Sequence, residues 1–301
     1  MSTLESLRRQ IDTATDLNSV VSTMKTLAAV SIHQYEQAAD SLAEYNRTIQ
    51  LGFQIVLRGN APPLDQPSPT GKVAVIVFGS DQGMCGQFNE RIAEFAVQQH
   101  NQAHGHPPSG VLVIGARIVS ALTEAEWELD ETYSIPASVS EITELVQAII
   151  PRIEQLRAEQ GISAFHLYSN RRSSTATFEP QHRQLLPIDP HEVARLRDQP
   201  WQSRSLPAFA GDRRHLLSEL ASQYLLVSLY RACAESLASE NASRIVAMQA
   251  AEKNIEERLD ELQTTFNGLR QTAITEELLD VITGFEALTG RAHLRDQRAK
   301  R

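Results

Sequence analysis

Residues 4–45 read LESLRRQIDTATDLNSVVSTMKTLAAVSIHQYEQAADSLAEY, and this stretch decides the fold. Leu4, Leu7, Ile11, Ala14, Val21, Met24, Ala28, Ile32, Tyr35, Ala39 and Leu42 follow alternating steps of three and four, with Asn18 or Leu17 filling the one gap. Steps of that kind keep one stripe of a helix against a partner over many turns. No Pro precedes Pro62 and no Gly precedes Gly52, and Ser2 with Glu5 offers a capping box, so one helix is predicted from about residue 3 to 56.

A second stripe answers it at the other end of the chain. Tyr224, Val227, Ala234, Ile245, Met248, Ile255, Leu259, Leu262, Phe266, Leu269, Ala273, Ile282 and Phe285 share a helical spacing, and no Pro follows Pro207. At 1.5 Å per residue such a helix is on the order of 100 Å long, far beyond the usual dozen residues. A helix of that length cannot fold over a compact core, so it is predicted to be a shaft whose stripe needs a partner helix or a surrounding protein. Met24 and Met248 sit in the stripes as packing residues.

Composition narrows the function. The chain has 301 residues, 42% of them hydrophobic and 6% aromatic, enough for one globular core plus an extended helical element packed by aliphatic side chains. A net charge of -9 argues against general affinity for nucleic acid or anionic lipid. Cys85 and Cys233 lie in segments of different type, so a structural disulfide is not expected and a reducing cytoplasm fits. No apolar run approaches the roughly 20 residues that span a bilayer, and the start lacks a signal composition.

Between the stripes, strands and helices alternate. The Pro- and Gly-rich loop from Gly59 to Gly71 closes the first helix. Val73–Phe78, Val111–Ile114 and Ile162–Ser169 read as buried strands, with a fourth over Thr175–Leu186; Gln87–Ala103 and Ser138–Gln160 read as helices, the latter despite Pro151. This order predicts βαβ units and a mainly parallel sheet. The segment Asp189–Gly211, with Pro190, Pro200 and Pro207, leads back to the long helix.

Two groups of residues raise the question of chemistry. Gly79-Ser80-Asp81-Gln82-Gly83-Met84-Cys85-Gly86-Gln87-Phe88-Asn89 follows the first strand, where backbone amides often hold phosphate. Its glycine spacing fits neither the dinucleotide fingerprint nor the P-loop, and a tight turn packed on neighbouring helices is the preferred reading. Cys85 has no assignable base and is not taken as a nucleophile. His100, His104 and His106 are close in sequence, but Gly105 and Pro107-Pro108 place them at a solvated helix end, and no Cys or carboxylate completes a metal set. No metal, cofactor or catalytic residue is expected.

Three ordered blocks then support a family resemblance. Leu7-Arg8-Arg9-Gln10-Ile11 with Met24-Lys25-Thr26-Leu27-Ala28-Ala29, the glycine loop from Gly79 to Asn89, and Ala238-Ser239-Glu240-Asn241-Ala242-Ser243-Arg244-Ile245-Val246-Ala247-Met248-Gln249 with Phe266-Asn267 and Arg270-Gln271-Thr272-Ala273-Ile274-Thr275-Glu276-Glu277-Leu278 together resemble the gamma subunit of F-type ATP synthases over most of the chain. The resemblance implies an α/β fold with long helices: an antiparallel coiled coil of N- and C-terminal helices plus a Rossmann-like, mainly parallel α/β domain. The corresponding divisions are 1–58, 59–211 and 212–301.

It also implies a non-catalytic central-stalk rotor, peripheral at the cytoplasmic face of a bacterial inner membrane. The implied partners are alpha and beta ATPase subunits, an epsilon-type subunit and the membrane c-subunit ring, with no nucleic acid. By position, Met24 and Lys25 resemble the lower-shaft residues that face the catalytic subunits, while Arg270, Gln271, Thr275 and Glu277 resemble polar groups that meet loops of the hexamer.

The chain departs from the family at several points. Val30-Ser31-Ile32-His33-Gln34-Tyr35 replaces a usually basic stretch, Gln82 replaces a basic residue and Gln87 a glycine. Pro187–Gly211 lacks the tyrosine-rich, acidic lead expected there. Thr289–Arg301 adds Arg291, Arg295, Arg298, Lys300 and Arg301, a basic end predicted to meet an acidic surface. Such differences suggest a divergent branch, such as the sodium-associated synthases. The rival readings are a coiled-coil scaffold protein with an α/β head, and a nucleotide-binding enzyme using the glycine loop.

Overall fold

The computed structural model describes residues 3–58, 71–173, 178–201, 205, 209 and 211–299, without the side chains of Pro190 and of residues 284–299. The predicted Pro-rich loop at 59–70, much of the lead at 202–210, Ser2 and the basic tail side chains lie outside the described residues. The elements in chain order are α1 Leu4–Ser41, α2 Ala43–Val56, β1 Lys72–Phe78, α3 Phe88–His104, β2 Gly110–Ile114, α4 Val119–Glu124, β3 Glu131–Tyr133, α5 Val139–Gln160, β4 Ile162–Arg172, β5 Phe178–Leu186, α6 Pro190–Asp198 and α7 Arg213–Ala299.

The chain divides into two compact units, one formed by residues 25–247 and the other by 1–24 with 248–301. In the larger unit the sheet order is β3-β2-β1-β4-β5, parallel through β4 and antiparallel at β5. Alternation along the strands assigns two cores. Ala74, Ile76, Phe78, Leu112 and Ile114 point to a core shared with Ile142, Ile149 and Ile153 of α5, Tyr35 of α1, and Leu229, Cys233 and Leu237 of α7. Val75, Val77, Val111 and Val113 point to the other, with Ile92 and Ala96 of α3 and Leu122 of α4. Both faces being covered explains why the strands read as continuous apolar runs.

The helical pair inside this unit is antiparallel. Arg213 donates to the Arg58 carbonyl (2.8 Å) and the Tyr45 hydroxyl donates to Gln223 (2.6 Å), while a Cβ at Gly52 would meet Leu220; one chain index rises as the other falls. Tyr224 and Val227 pack with Ile49, Phe53 and Val56 of α2, and Phe53 meets Tyr224 edge-on at 6.2 Å. Ala234 faces the sheet, so part of the second stripe serves the globular core.

The single helix expected over residues 3–56 is interrupted at Leu42, which separates α1 from α2. The Ser41 hydroxyl bonds back to the Ala38 carbonyl there (2.8 Å), a local competitor of the helix ladder. At the start, Thr3 caps the helix by accepting from the Ser6 amide (3.3 Å). Sequence reading also passed over α4, β3 and α6, which are short.

In the smaller unit the heptad reading of α1 holds position by position. Leu7 and Val21 are buried, Leu4, Ile11, Ala14 and Met24 are half-buried, and the gap is filled by Asn18, half-buried, while Leu17 is exposed. Met248 and Leu262 are buried on α7, with Ile255, Leu259 and Phe266 half-buried. The stripe then loses its cover. Residues 267–283 are all exposed, so of the two predicted covers the partner helix serves the stripe only as far as Phe266, and Leu269, Ala273 and Ile282 are left uncovered by the described residues.

Candidate functional site

The glycine loop lies at the end of β1, where the strand order reverses between β2 and β4. That crevice is where open α/β sheets hold ligands. Here it is filled by the protein. The Ser243 hydroxyl of α7 donates to the Cys85 carbonyl (2.6 Å), Ser239 of α7 donates to the Asn170 carbonyl (3.4 Å), and Asn170 of β4 donates to the Phe88 carbonyl (3.3 Å). Gly86, at φ +61°, would bring a Cβ to 3.6 Å from the Ser243 hydroxyl.

The rest of the loop is tied down from the sheet side. Asn89 accepts from the Ser80 amide (2.9 Å) and donates to the Ser80 hydroxyl (2.8 Å). The two Asp81 carboxylate oxygens accept the amides of Ala116 (2.7 Å) and Ile135 (2.8 Å), joining three loops at the end of the sheet. Of the loop's own amides, Gly79 donates to the Ile114 carbonyl (2.7 Å) and Ser80 to Asn89. Cys85 is buried, and burial pushes its thiol up, the reverse of what a nucleophile needs. The structural reading of the loop stands.

This packing makes one glycine indispensable. Gly115 has φ +105°, and a Cβ there would lie 2.7 Å from the Ser80 nitrogen and 2.9 Å from the Gly79 carbonyl carbon, both backbone atoms. Gly115→Ala is expected to cost at least about 2 kcal/mol from the strained φ and the clash, read as a lowered denaturation midpoint of the full chain in urea.

Beneath the loop contacts, α7 carries a buried ion pair that sequence reading missed. Arg244 and Glu240 lie 2.6 Å apart with side-chain exposures of 9% and 6%, and Arg244 also donates to Asn241 (3.1 Å). Burial raises the Glu240 carboxyl above its ordinary range against the lowering effect of Arg244. The four-residue spacing of Glu240 and Arg244 was legible, but it looks the same as a solvated helix pair.

The expected helix end at His100 is also corrected. His100 is fully buried and lies 5.6 Å from the Trp127 ring. Burial, then the neighbouring His104, lowers it to about 4, so it is a neutral core side chain and not a solvated cation. The α3 helix does end as predicted, with Gly105 in the left-handed cap. Among the described residues no group of three or more donor side chains is arranged to hold a metal.

The candidate partner-binding residues fall in two groups. Met24 and Lys25 are half-buried on α1. Arg270, Gln271, Thr275 and Glu277 are exposed on α7, where Thr275 returns its hydroxyl to the Gln271 carbonyl (2.8 Å). Around these polar groups stands a set of apolar side chains that the carried-over residues omitted: Leu269, Ile274, Leu278, Leu279, Val281 and Ile282, from 37% to 68% exposed. On α1, Leu17, Val20, Leu27 and Val30 are more than half exposed. No helix among the described residues is long and apolar enough to cross a membrane.

Comparison with known proteins agrees with this architecture. Residues 3–288 match the family model described as ATP synthase. The ATP synthase gamma chain of Cyanothece sp. is 28% identical, covering 96% of this chain and 100% of the relative. That of Brevibacillus brevis is 26% identical over 94% and 98%. Among solved structures, a chain of the Euglena gracilis mitochondrial ATP synthase superposes with a TM-score of 0.65 at 16% identity, covering 95% of this chain and 94% of that one. A chain of the Tetrahymena thermophila mitochondrial ATP synthase central stalk gives 0.55 at 18%, covering 77% and 99%. At those identities the structural likeness speaks for the fold alone.

Proposed function

The chain belongs to the ATP synthase family, and from that premise we propose that it turns as the central-stalk rotor, coupling ion flow through a membrane c-subunit ring to conformational cycling of an alpha/beta hexamer. As a gamma chain it is a non-catalytic subunit. The observation that carries the rotor reading is the stretch 267–283 of α7, exposed throughout and bearing Leu269, Ile274, Leu278, Leu279, Val281 and Ile282. A single helix with that much uncovered apolar surface needs surrounding protein.

The mechanism is mechanical. An asymmetric shaft that contacts three equivalent sites differently biases each toward a different conformation, and turning it changes their affinities in sequence. Each charge crossing the membrane supplies only about 2.3 kcal/mol per 100 mV, so several steps must be pooled in a stiff element. Heptad packing of α1 on α7 supplies that stiffness.

In this reading residues 1–58 and 212–301 are the coiled coil and 59–211 the α/β domain, which with the lower coil meets the ring and an epsilon-type subunit at the cytoplasmic face of a bacterial inner membrane. Met24 and Lys25 face the moving parts of the catalytic subunits, and Arg270, Gln271, Thr275 and Glu277 meet loops of the hexamer. Lys25 acts there without the basic neighbours usual in the family, because 30–35 read Val-Ser-Ile-His-Gln-Tyr. The filled glycine crevice disfavours the nucleotide-binding rival.

The test is co-purification. The tagged full chain should retain two ATPase-type subunits at three copies each per chain. Recovery alone, or only with further copies of itself, would overturn the rotor reading in favour of the scaffold.

A further inference from the structure

Five of the nine histidines meet at one place in the larger unit. His100 and His104 come from the end of α3, His106 from the loop after it, His166 from β4 and His182 from β5. The rings of His100 and His104 are 4.7 Å apart, those of His104 and His166 5.7 Å, and those of His166 and His182 4.8 Å and nearly parallel. His166 Nδ1 lies 2.6 Å from His182 Nε2, a separation that requires one proton between the two nitrogens. His106 Nδ1 is 2.8 Å from the Pro107 carbonyl.

We propose that this cluster is a proton-operated latch, which fastens the edge strand β5 and the end of α3 to β4 while its rings are neutral and releases β5 when they take up protons. β5 is the strand the latch can free, because it pairs with β4 alone. At the strand's far end Phe178 lies 5.3 Å from Phe88 and beneath Arg91 of α3, and Leu185 is buried in the core on the strand's other side.

The groups facing the latch come from each element packed there: His100 and His104 on α3, His106 in the loop, His166 with Tyr168 on β4, and His182 on β5, with Trp127 closing the buried side. The charges acting on His100, His104, His166 and His182 are all other histidines. Asp189 and Glu192 line a cavity with His182, together with Arg183 and Arg231, but the charge that acts on His182 is His104, and two positive rings at hydrogen-bonding distance repel. Burial first, then the neighbouring histidines, lowers both His100 and His166 to about 4, and burial then His104 lowers His182.

The sign follows from these directions. A histidine whose value is lowered on folding holds the closed state fully above its ordinary value near 6.5 and loses that support as pH falls toward about 4. Opening should therefore become roughly tenfold easier per pH unit for each histidine that gains a proton on release.

Amide hydrogen exchange on the full chain between pH 7 and pH 5, corrected for intrinsic rates, tests this. Peptides covering β5 and the end of α3 should lose protection at least about tenfold per pH unit, while β1 and β2 stay protected. His182→Gln should reduce that slope by about tenfold per unit. A flat profile, a slope unchanged in H182Q, or loss of protection through the whole sheet together would overturn the latch. If H182Q does not fold, NMR titration of the wild-type histidine rings decides: midpoints well below 6.5 for the β4 and α3 rings support it, and ordinary midpoints sink it.

Discussion

Arg244→Ala is expected to destabilise the larger unit by about 3–5 kcal/mol, the loss typical when one partner of a buried ion pair is removed. The carboxylate of Glu240 would be left in a site with 6% side-chain exposure, without the cation that opposes the effect of burial on it. The pH dependence distinguishes this from lost packing. A carboxyl whose value is raised on folding is favoured in its neutral form, so the penalty grows as pH rises above the ordinary carboxylate value and is complete above the folded one. The deficit of R244A should therefore shrink as the pH is lowered toward 5, and Glu240→Gln on the R244A background should restore part of it at pH 7. Urea denaturation of the full chains at pH 5 and pH 7 measures both. A deficit equal at the two pH values would show that Arg244 acts through its packing and not its charge.

This pair also marks where sequence reading ended. The heptads of α1 were legible because burial on a helix repeats locally, and each of Leu7, Val21, Ala28 and Tyr35 lies where the spacing put it. Strands β1, β2 and β4 were legible because a strand covered on both faces is an unbroken apolar run. Glu240 and Arg244 were not, since their burial comes from the loop at Cys85, more than 150 residues earlier. The histidine cluster was only half visible for the same reason. His100, His104 and His106 stand together in the sequence, while His166 and His182 reach them through strand pairing and the packing of α3. Trp127, which covers His100, also comes from outside that run.

The candidate shaft residues were read by resemblance, and it favoured polar positions. The uncovered apolar side chains beside Arg270, Gln271, Thr275 and Glu277 could not be separated from a core seam by periodicity alone, because an intramolecular seam and an intermolecular one obey the same spacing. What separates them is exposure: on α7 Leu262 is buried and Phe266 half-buried, whereas residues 267–283 are all exposed.

Those turns give the second large expected effect. Ile274 and Leu278 are four residues apart on one face of α7 and are 53% and 58% exposed. If the hexamer closes around them, each side chain contributes about 1.5–3 kcal/mol on burial, and a carboxylate in its place adds a desolvation cost. Ile274→Asp with Leu278→Asp should therefore weaken retention of the ATPase subunits by at least about 100-fold. The stability of the isolated chain should change by no more than about 0.5 kcal/mol, because neither residue is buried in it. The two substitutions at 274 and 278 and the one at 244 thus dissociate assembly from folding: R244A lowers the denaturation midpoint through a buried ion pair, and I274D/L278D lowers subunit retention with the midpoint unchanged. Subunit retention on a tagged chain and urea denaturation of the same preparations measure the pair of effects. Wild-type retention by the double variant would place the partner on another face of the helix, with the exposed Leu17 and Val20 of α1 as the side chains to test next.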